Sequence, residues 1–438
     1  MAKTLNPRKQ AEDLADFISA SPTSYQAVAS LATRLRAAGF SQLDEADPWE
    51  ASTLPAACFV IRDGALLAWV RGDREEPGSP YRILGAHTDS PAFKVKPQPS
   101  ISSLGWQQVG VEIYGGPLLS SWLDRELKLA GRVSLARDGG TVSQLVHTGP
   151  LARIPHLAIH LDRSQQEQLT LDKQKHLYPI WAGAERGQQN LLDYLGQIDQ
   201  NQPFSAQEVV GFDLFFADAQ APGFFGAQGE FLAASRLDNL SSVHAGLTAL
   251  ERYWAAQAQQ QSQASVVLAA FDHEEIGSGS RSGAAGSFLE DILVRLSCAR
   301  GEDSAQYRQS LARSVCLSSD AGHLVHPNYA GHHDPVNQPR AGAGPLLKIN
   351  ANQRYATDSV GAGIFALACT QVGAPYQEFV SHNSIPCGST IGPITATRLG
   401  IRTVDVGLGL LSMHSAREMC HIADQAWLSQ VIEGFFLA

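Results

Sequence analysis

The sequence predicts an α/β fold, a sheet covered by helices and interrupted by an inserted β-rich segment. Short strand-like runs at 266–271, 314–319 and 403–408 end in Gly or Asp, as buried strands do where they leave a sheet. Segments with helical spacing of apolar residues alternate with these runs near both ends of the chain. Between Ala92 and Ala233 the character changes to glycine-punctuated β segments, so one α/β body, 1–91 with 235–438, is expected to enclose a β-rich domain at 92–234. With 438 residues, 44% of them hydrophobic, the chain can bury the cores that such a division needs.

The elements follow in order. Leu14, Phe17 and Ile18 give helical spacing over 7–20, which Ser21-Pro22 breaks, and a second helix runs to the Gly39 stop. Runs at 58–62 and 65–70, joined by Asp63-Gly64, predict a hairpin. A further apolar run ends in Gly85-Ala86-His87-Thr88-Asp89-Ser90. The insertion contributes strands near 107–114 and 127–136 and a polar stretch at 164–208. Ser235-Arg236-Leu237-Asp238-Asn239 then introduces a helix carrying Leu240, Val243, Leu247 and Leu250. The glutamine-rich patch 257–263 reads as a surface loop before a strand, and helices at 360–372 and 423–436 would cover the sheet. The chain contains no internal repeat.

Chemistry gathers where the strands end. His87 and Asp89 are two residues apart, so they share a strand face, and the carboxylate can orient the ring of a metal-binding imidazole. The run 266–271 discharges into Asp272-His273-Glu274-Glu275, two adjacent carboxylates at a strand's carboxyl end, where open α/β sheets bind ligands. Asp320 and His323 follow 314–319, and His414 follows 403–408. Each cluster alone has a plainer reading: a solvated loop for the glutamates, an N-cap for Asp238, a satisfied turn residue for Asp320 or His414. Together, two histidines and several carboxylates are the donors that suit a pair of divalent ions. Two such ions about 3.5 to 4 Å apart serve hydrolysis, sharing a carboxylate and stabilising a developing oxyanion.

The order His87, Asp89, Asp238, Glu274-Glu275, Asp320, His414 resembles the co-catalytic zinc aminopeptidases, and the aspartyl aminopeptidase family in particular. Longer words carry the resemblance along the whole chain: Gln107-Gln108-Val109-Gly110-Val111-Glu112, Ile154-Pro155-His156-Leu157-Ala158-Ile159-His160-Leu161, Arg236-Leu237-Asp238-Asn239-Leu240, Asn352-Gln353-Arg354-Tyr355-Ala356 and Pro386-Cys387-Gly388-Ser389-Thr390-Ile391-Gly392-Pro393. It implies a mixed-sheet zinc-peptidase catalytic domain with an inserted β-rich dimerisation domain. It further implies two Zn2+ per subunit, with Mn2+ or Co2+ as substitutes. Asp238 would bridge the ions, with His87 and Asp320 on one and Glu275 and His414 on the other. Glu274 would be the general base and Asp89 would orient His87. His160 would enter the neighbouring subunit's site, and Lys348 would meet an acidic substrate side chain. The implied assembly is a homo-oligomer built from dimers, with a dodecamer among the candidates.

Composition narrows the function classes. A net charge of -10 with no basic cluster argues against nucleic acid as a partner. Cys58, Cys298, Cys316, Cys369, Cys387 and Cys420 lack paired or zinc-finger spacing and read as reduced thiols of a cytoplasmic protein; Cys387 beside Gly388 reads as a packing residue rather than a nucleophile. No signal-peptide core follows the first residues, and no apolar run approaches the roughly 18 residues of a membrane span. Three classes stay open at this level. They are a metallo-aminopeptidase acting on peptides, favoured by the long shared words; another two-metal hydrolase, such as a carboxypeptidase or deacylase; and a non-enzymatic assembly protein with a relic site.

Overall fold

The computed structural model describes residues 4–183, 189–198, 202–256 and 262–438; most of the glutamine-rich patch 257–263 lies outside them. The chain divides into two compact units, 1–89 with 223–413 and 418–438, and 90–222 with 414–417.

The first unit is built on a nine-stranded mixed sheet, in the order Ser41–Gln42, Ala57–Arg62, Ala65–Val70, Ser265–Phe271, Tyr81–His87, Val315–Ser319, Arg402–Gly407, Leu346–Lys348, Gln377–Phe379. The four central strands, from Ser265–Phe271 to Arg402–Gly407, are parallel, so their carboxyl ends share one edge. Both faces are buried, and alternate residues feed opposite cores. Leu84, Ala86, Val266, Leu268 and Ala270 pack with helices Pro7–Ala20, Leu237–Ala256 and Ile422–Leu437. Ile83, Val267, Ala269 and Phe271 pack with Phe288–Ala299 and Ser304–Arg313 on the other side. The expected hairpin forms between Ala57–Arg62 and Ala65–Val70, and the expected first helix is capped by Asn6, whose side chain accepts from the Lys9 N–H at 3.1 Å.

The second unit is a closed antiparallel barrel of six strands, in the order Val209–Asp218, Ala92–Ser103, Trp106–Tyr114, Ile180–Gly183, Gly140–Arg153, Glu126–Arg137. Phe93, Val109, Leu129, Val133, Leu214 and Phe216 fill it.

The boundary expected at 234 is corrected. Residues 223–234 belong to the first unit because Phe231–Ala234 pairs with both Gly223–Phe225 and Glu418–His421, consuming edges that lie there. Residues 414–417 belong to the second unit, held by Leu118 N–H donating to the His414 carbonyl at 2.8 Å and Ala416 N–H donating to Ser121 Oγ at 2.8 Å. Among the described residues, no helix is long and apolar enough to cross a membrane.

Candidate metal centre

The shared edge of the parallel strands gathers the acidic residues. His87 is the last residue of its strand and pairs in register with Phe271, so Thr88-Asp89 and Asp272–Glu275 leave the sheet side by side. Thr88 fixes that departure, its N–H and hydroxyl both donating to the Phe271 carbonyl, at 2.8 and 3.0 Å. Its hydroxyl also donates to the Gly64 carbonyl in the hairpin turn. Gly64 has to be glycine there, since a Cβ would stand 2.1 Å from Asp272 Oδ2.

His273 then adopts a left-handed φ of 62°, which turns the chain sharply off the strand. That turn aims the N–H groups of Glu274 and Glu275 at the two oxygens of Asp89, each at 3.1 Å. Asp89 also faces the imidazole, with His87 Nδ1 3.3 Å from Asp89 Oδ1 and 3.1 Å from its carbonyl oxygen. One carboxylate thus orients the histidine and anchors the glutamate turn.

The other ring nitrogen faces acids. His87 Nε2 lies 3.4 Å from Asp238 Oδ1 and 3.3 Å from Asp320 Oδ1. Among the described residues, His87, Asp238 and Glu275 form one group whose donor atoms all lie within 4.8 Å of one another. Asp238 is held by its own N–H donating to Glu418 Oε2 at 2.9 Å, while Asn239 donates through its side chain to the Ser319 carbonyl at 2.8 Å. His87, Asp89, Asp238 and Asp320 are all buried.

Burial opposes an imidazolium at His87, but its hydrogen bonds to the carboxylates of Asp238, Asp320 and Asp89 outweigh burial and hold the ring's pKa well above its ordinary value. Burial pushes the Glu274 carboxyl up to about 7; His87 pulls it down, and the charges of Asp320, Asp238 and Asp89 push it back up. Burial with Asp89 nearby likewise raises Asp272 to about 6. Buried charges are tolerated where they are paired or bind a cation. One imidazole nitrogen and several converging carboxylate oxygens are a donor set that fits a divalent metal such as zinc.

Lys348 is buried rather than exposed: only 1% of it is accessible. Its ammonium donates to the Ala321 carbonyl at 2.6 Å, lies 3.7 Å from Asp320 Oδ2, and stands 5.3 Å from the Tyr355 ring. The structure therefore brings together His87, Asp89, Asp238, Glu274, Glu275, Asp320 and Lys348 in the first unit. His414 and His160 are in the second. His414 is partly exposed, with a left-handed φ of 66° and Nδ1 3.0 Å from the Gly116 carbonyl oxygen. His160 is exposed on the segment between Arg153 and the turn at Arg163–Gln166. Sequence reading missed Glu418, an ordinary strand residue whose role depends wholly on meeting the Asp238 N–H across 180 residues of chain.

Comparison with known proteins agrees with this chemistry. The model of a family described as aminopeptidase I zinc metalloprotease (M18) matches residues 17–436. A probable M18 family aminopeptidase 2 of Streptomyces avermitilis is 52% identical over 432 residues, covering 98% of both chains. One of the same name from Azotobacter vinelandii is 44% identical, covering 97% of both. Among solved structures, the chain matches one from the cryo-EM structure of the Ape4 and Nbr1 complex with a TM-score of 0.95 and 36% identity, covering 98% of this chain and 86% of that one. It matches a chain of the S. cerevisiae mApe1 dodecamer with a TM-score of 0.85 and 28% identity, covering 98% and 97%.

Proposed function

The chain belongs to the M18 family of zinc metallo-aminopeptidases, and from that premise we propose a two-zinc site that removes amino-terminal aspartate or glutamate from peptides. Asp238 would be shared between the two ions. His87 and Asp320 would hold one, an assignment supported by the 3.3 Å between His87 Nε2 and Asp320 Oδ1. Glu275 and His414 would hold the other, His414 being assigned from the family pattern. Bound zinc supplies Lewis-acid stabilisation of the oxyanion and lowers the pKa of water.

The residues of the chain do the rest. Glu274 takes the proton of the attacking water on its carboxylate and delivers it to the leaving amine nitrogen, the work of a general base in a largely buried position beside the proposed ligands. Asp89 keeps the His87 ring directed and holds the Glu274 and Glu275 backbone at fixed distance from it. The observation that carries the reading is this convergence of His87, Asp238 and Glu275 beside a carboxyl raised to about 7. A panel of free-amino, amino-blocked and carboxyl-blocked peptides, with and without chelator, tests it. Chelator-sensitive cleavage restricted to peptides with a free amino end is expected; cleavage of amino-blocked peptides would point to a carboxypeptidase or deacylase instead.

The active unit is proposed to be a homo-oligomer assembled from dimers, in the cytoplasm, with the barrel unit forming the dimer contact and presenting His160 to the neighbouring subunit's site. The exposure of His160 between Leu157, 53% accessible, and Leu161, 74% accessible, supports this, since apolar side chains so placed are covered in an assembly. So does the dodecamer described for the S. cerevisiae relative. Mixing a His160→Ala chain with a Glu274→Gln chain is expected to restore part of the activity that each lacks alone, because some sites then draw both intact residues from different chains. No recovery in mixed oligomers would refute the exchange.

Lys348 is proposed to supply the cation for an acidic substrate side chain. A charge-assisted hydrogen bond contributes about 1.5 to 3 kcal/mol, or roughly ten- to a hundred-fold in specificity. Aspartyl and glutamyl substrates should therefore exceed leucyl and alanyl ones in kcat/KM, and Lys348→Ala should erase the difference while slow cleavage of neutral substrates persists. A wild-type preference for leucyl or lysyl substrates would refute the acidic specificity.

A further inference from the structure

Beyond the metal centre, one carboxylate in the middle of the sheet has partners that ordinary packing does not require. Asp405 lies in the central strand Arg402–Gly407, fully buried, opposite Ser318 in register. Its Oδ2 accepts the Ala356 N–H at 2.6 Å, and its own N–H donates to Thr357 Oγ1 at 2.9 Å. Its Oδ1 accepts the Thr390 hydroxyl at 2.6 Å. Thr390 caps the helix Ile391–Leu399, and the second residue of that helix is Gly392, where a Cβ would stand 2.4 Å from both Asp405 oxygens. A single buried carboxylate thus ties down two separate loops, and one helix turn is stripped of side chain to let it do so.

Both loops lead back to the site. The first carries Tyr355, immediately before the pinned Ala356, and the Tyr355 ring stands 5.3 Å from Lys348 Nζ. The second carries Cys387, three residues before Thr390, and Cys387 packs against the cluster formed by Leu346, Tyr355 and Phe379. Lys348 in turn lies 3.7 Å from Asp320 Oδ2, and Asp320 Oδ1 lies 3.3 Å from His87 Nε2. Lys348 is otherwise a four-carbon stem with freely rotating donors. Its ammonium is kept where it is by the Ala321 carbonyl on one side and the Tyr355 face on the other.

We propose that Asp405 is a positioning residue for substrate selection: by pinning Ala356-Thr357 and Thr390 to one strand it fixes the Tyr355 ring, and through it the direction of the Lys348 ammonium toward the side chain of the substrate's first residue. This rests on the assignment of Lys348 to the acidic side chain. The residues that Asp405 holds by hydrogen bonds, Ala356, Thr357 and Thr390, are neither proposed metal ligands nor the proposed base, so its loss is expected to act on recognition rather than on proton transfer.

The experiment measures kcat and KM separately for aspartyl and alanyl substrates in the zinc-loaded Asp405→Ala, Asp405→Asn and Thr390→Val proteins, and follows hydrogen exchange over 350–357 and 383–390. Asp405→Ala is expected to raise KM for the aspartyl substrate roughly ten-fold, with the alanyl substrate close to wild type and faster exchange confined to the two loops. Asp405→Asn should recover most of the preference, because its carbonyl can accept from Ala356 while its amide donates to Thr390 Oγ1. Equal losses on both substrates, or an unchanged preference, overturn the proposal. Should Asp405→Ala not fold, Thr390→Val releases one loop and must shift the preference in the same direction. A wild-type enzyme with no acidic preference sinks the Lys348 assignment instead. Exchange then decides for Asp405: faster exchange of both loops in the variants upholds its holding role, and unchanged exchange overturns it.

Discussion

Glu274→Gln should lower kcat/KM by about 10² to 10⁴, the usual cost of losing a general base, while leaving the metals bound and the fold intact. The amide is nearly isosteric, and what anchors residue 274 is its backbone N–H on Asp89 Oδ1 at 3.1 Å, which glutamine retains. What it loses is the carboxyl that burial and three neighbouring acids raise to about 7, the group able both to accept and to return a proton near neutral pH. Glu275→Gln is the matched control. Its backbone is held the same way, by Asp89 Oδ2 at 3.1 Å, but its side chain is one of the three donors that converge within 4.8 Å, so metal retention should fall instead. Steady-state rates beside metal content for both variants separate the roles. Near-normal turnover in Glu274→Gln would require the pair to be exchanged or the mechanism abandoned.

The fold was legible where local pattern and tertiary structure agree. The apolar runs that become Tyr81–His87, Ser265–Phe271 and Val315–Ser319 are buried on both faces, so they stand out from sequence and point to the edge at which His87, Glu274, Glu275 and Asp320 gather. Long-range choices were not legible. Nothing local in Phe231–Ala234 says that its partner is Glu418–His421, and this pairing moves 223–234 out of the insertion. Lys348 is a short-strand residue whose neighbours in sequence do not disclose its burial; the Ala321 carbonyl and Asp320 that receive its charge come from another strand end. Asp405 is hidden for the same reason. In Thr403-Val404-Asp405-Val406 it reads as the polar position of an alternating strand, and only the folded chain brings Ala356 and Thr390 to it.

Metal removal should have the other largest effect, since the mechanism leaves Glu274 with no comparably activated water to work on once the ions are gone. His87, Asp238, Glu275 and Asp320 put one imidazole and three carboxylates into a small, largely buried space, a concentration of negative charge that bound divalent cations would offset. Manganese or cobalt should substitute for zinc in restoring activity, because oxygen-rich sites discriminate weakly among such ions. Elemental analysis of the purified protein, paired with peptidase rates before chelation, after chelation and after zinc is returned, is the most direct test. Two divalent ions per chain, activity lost with them and regained on their return, is the expected result; full peptidase activity in protein that carries no metal would contradict it.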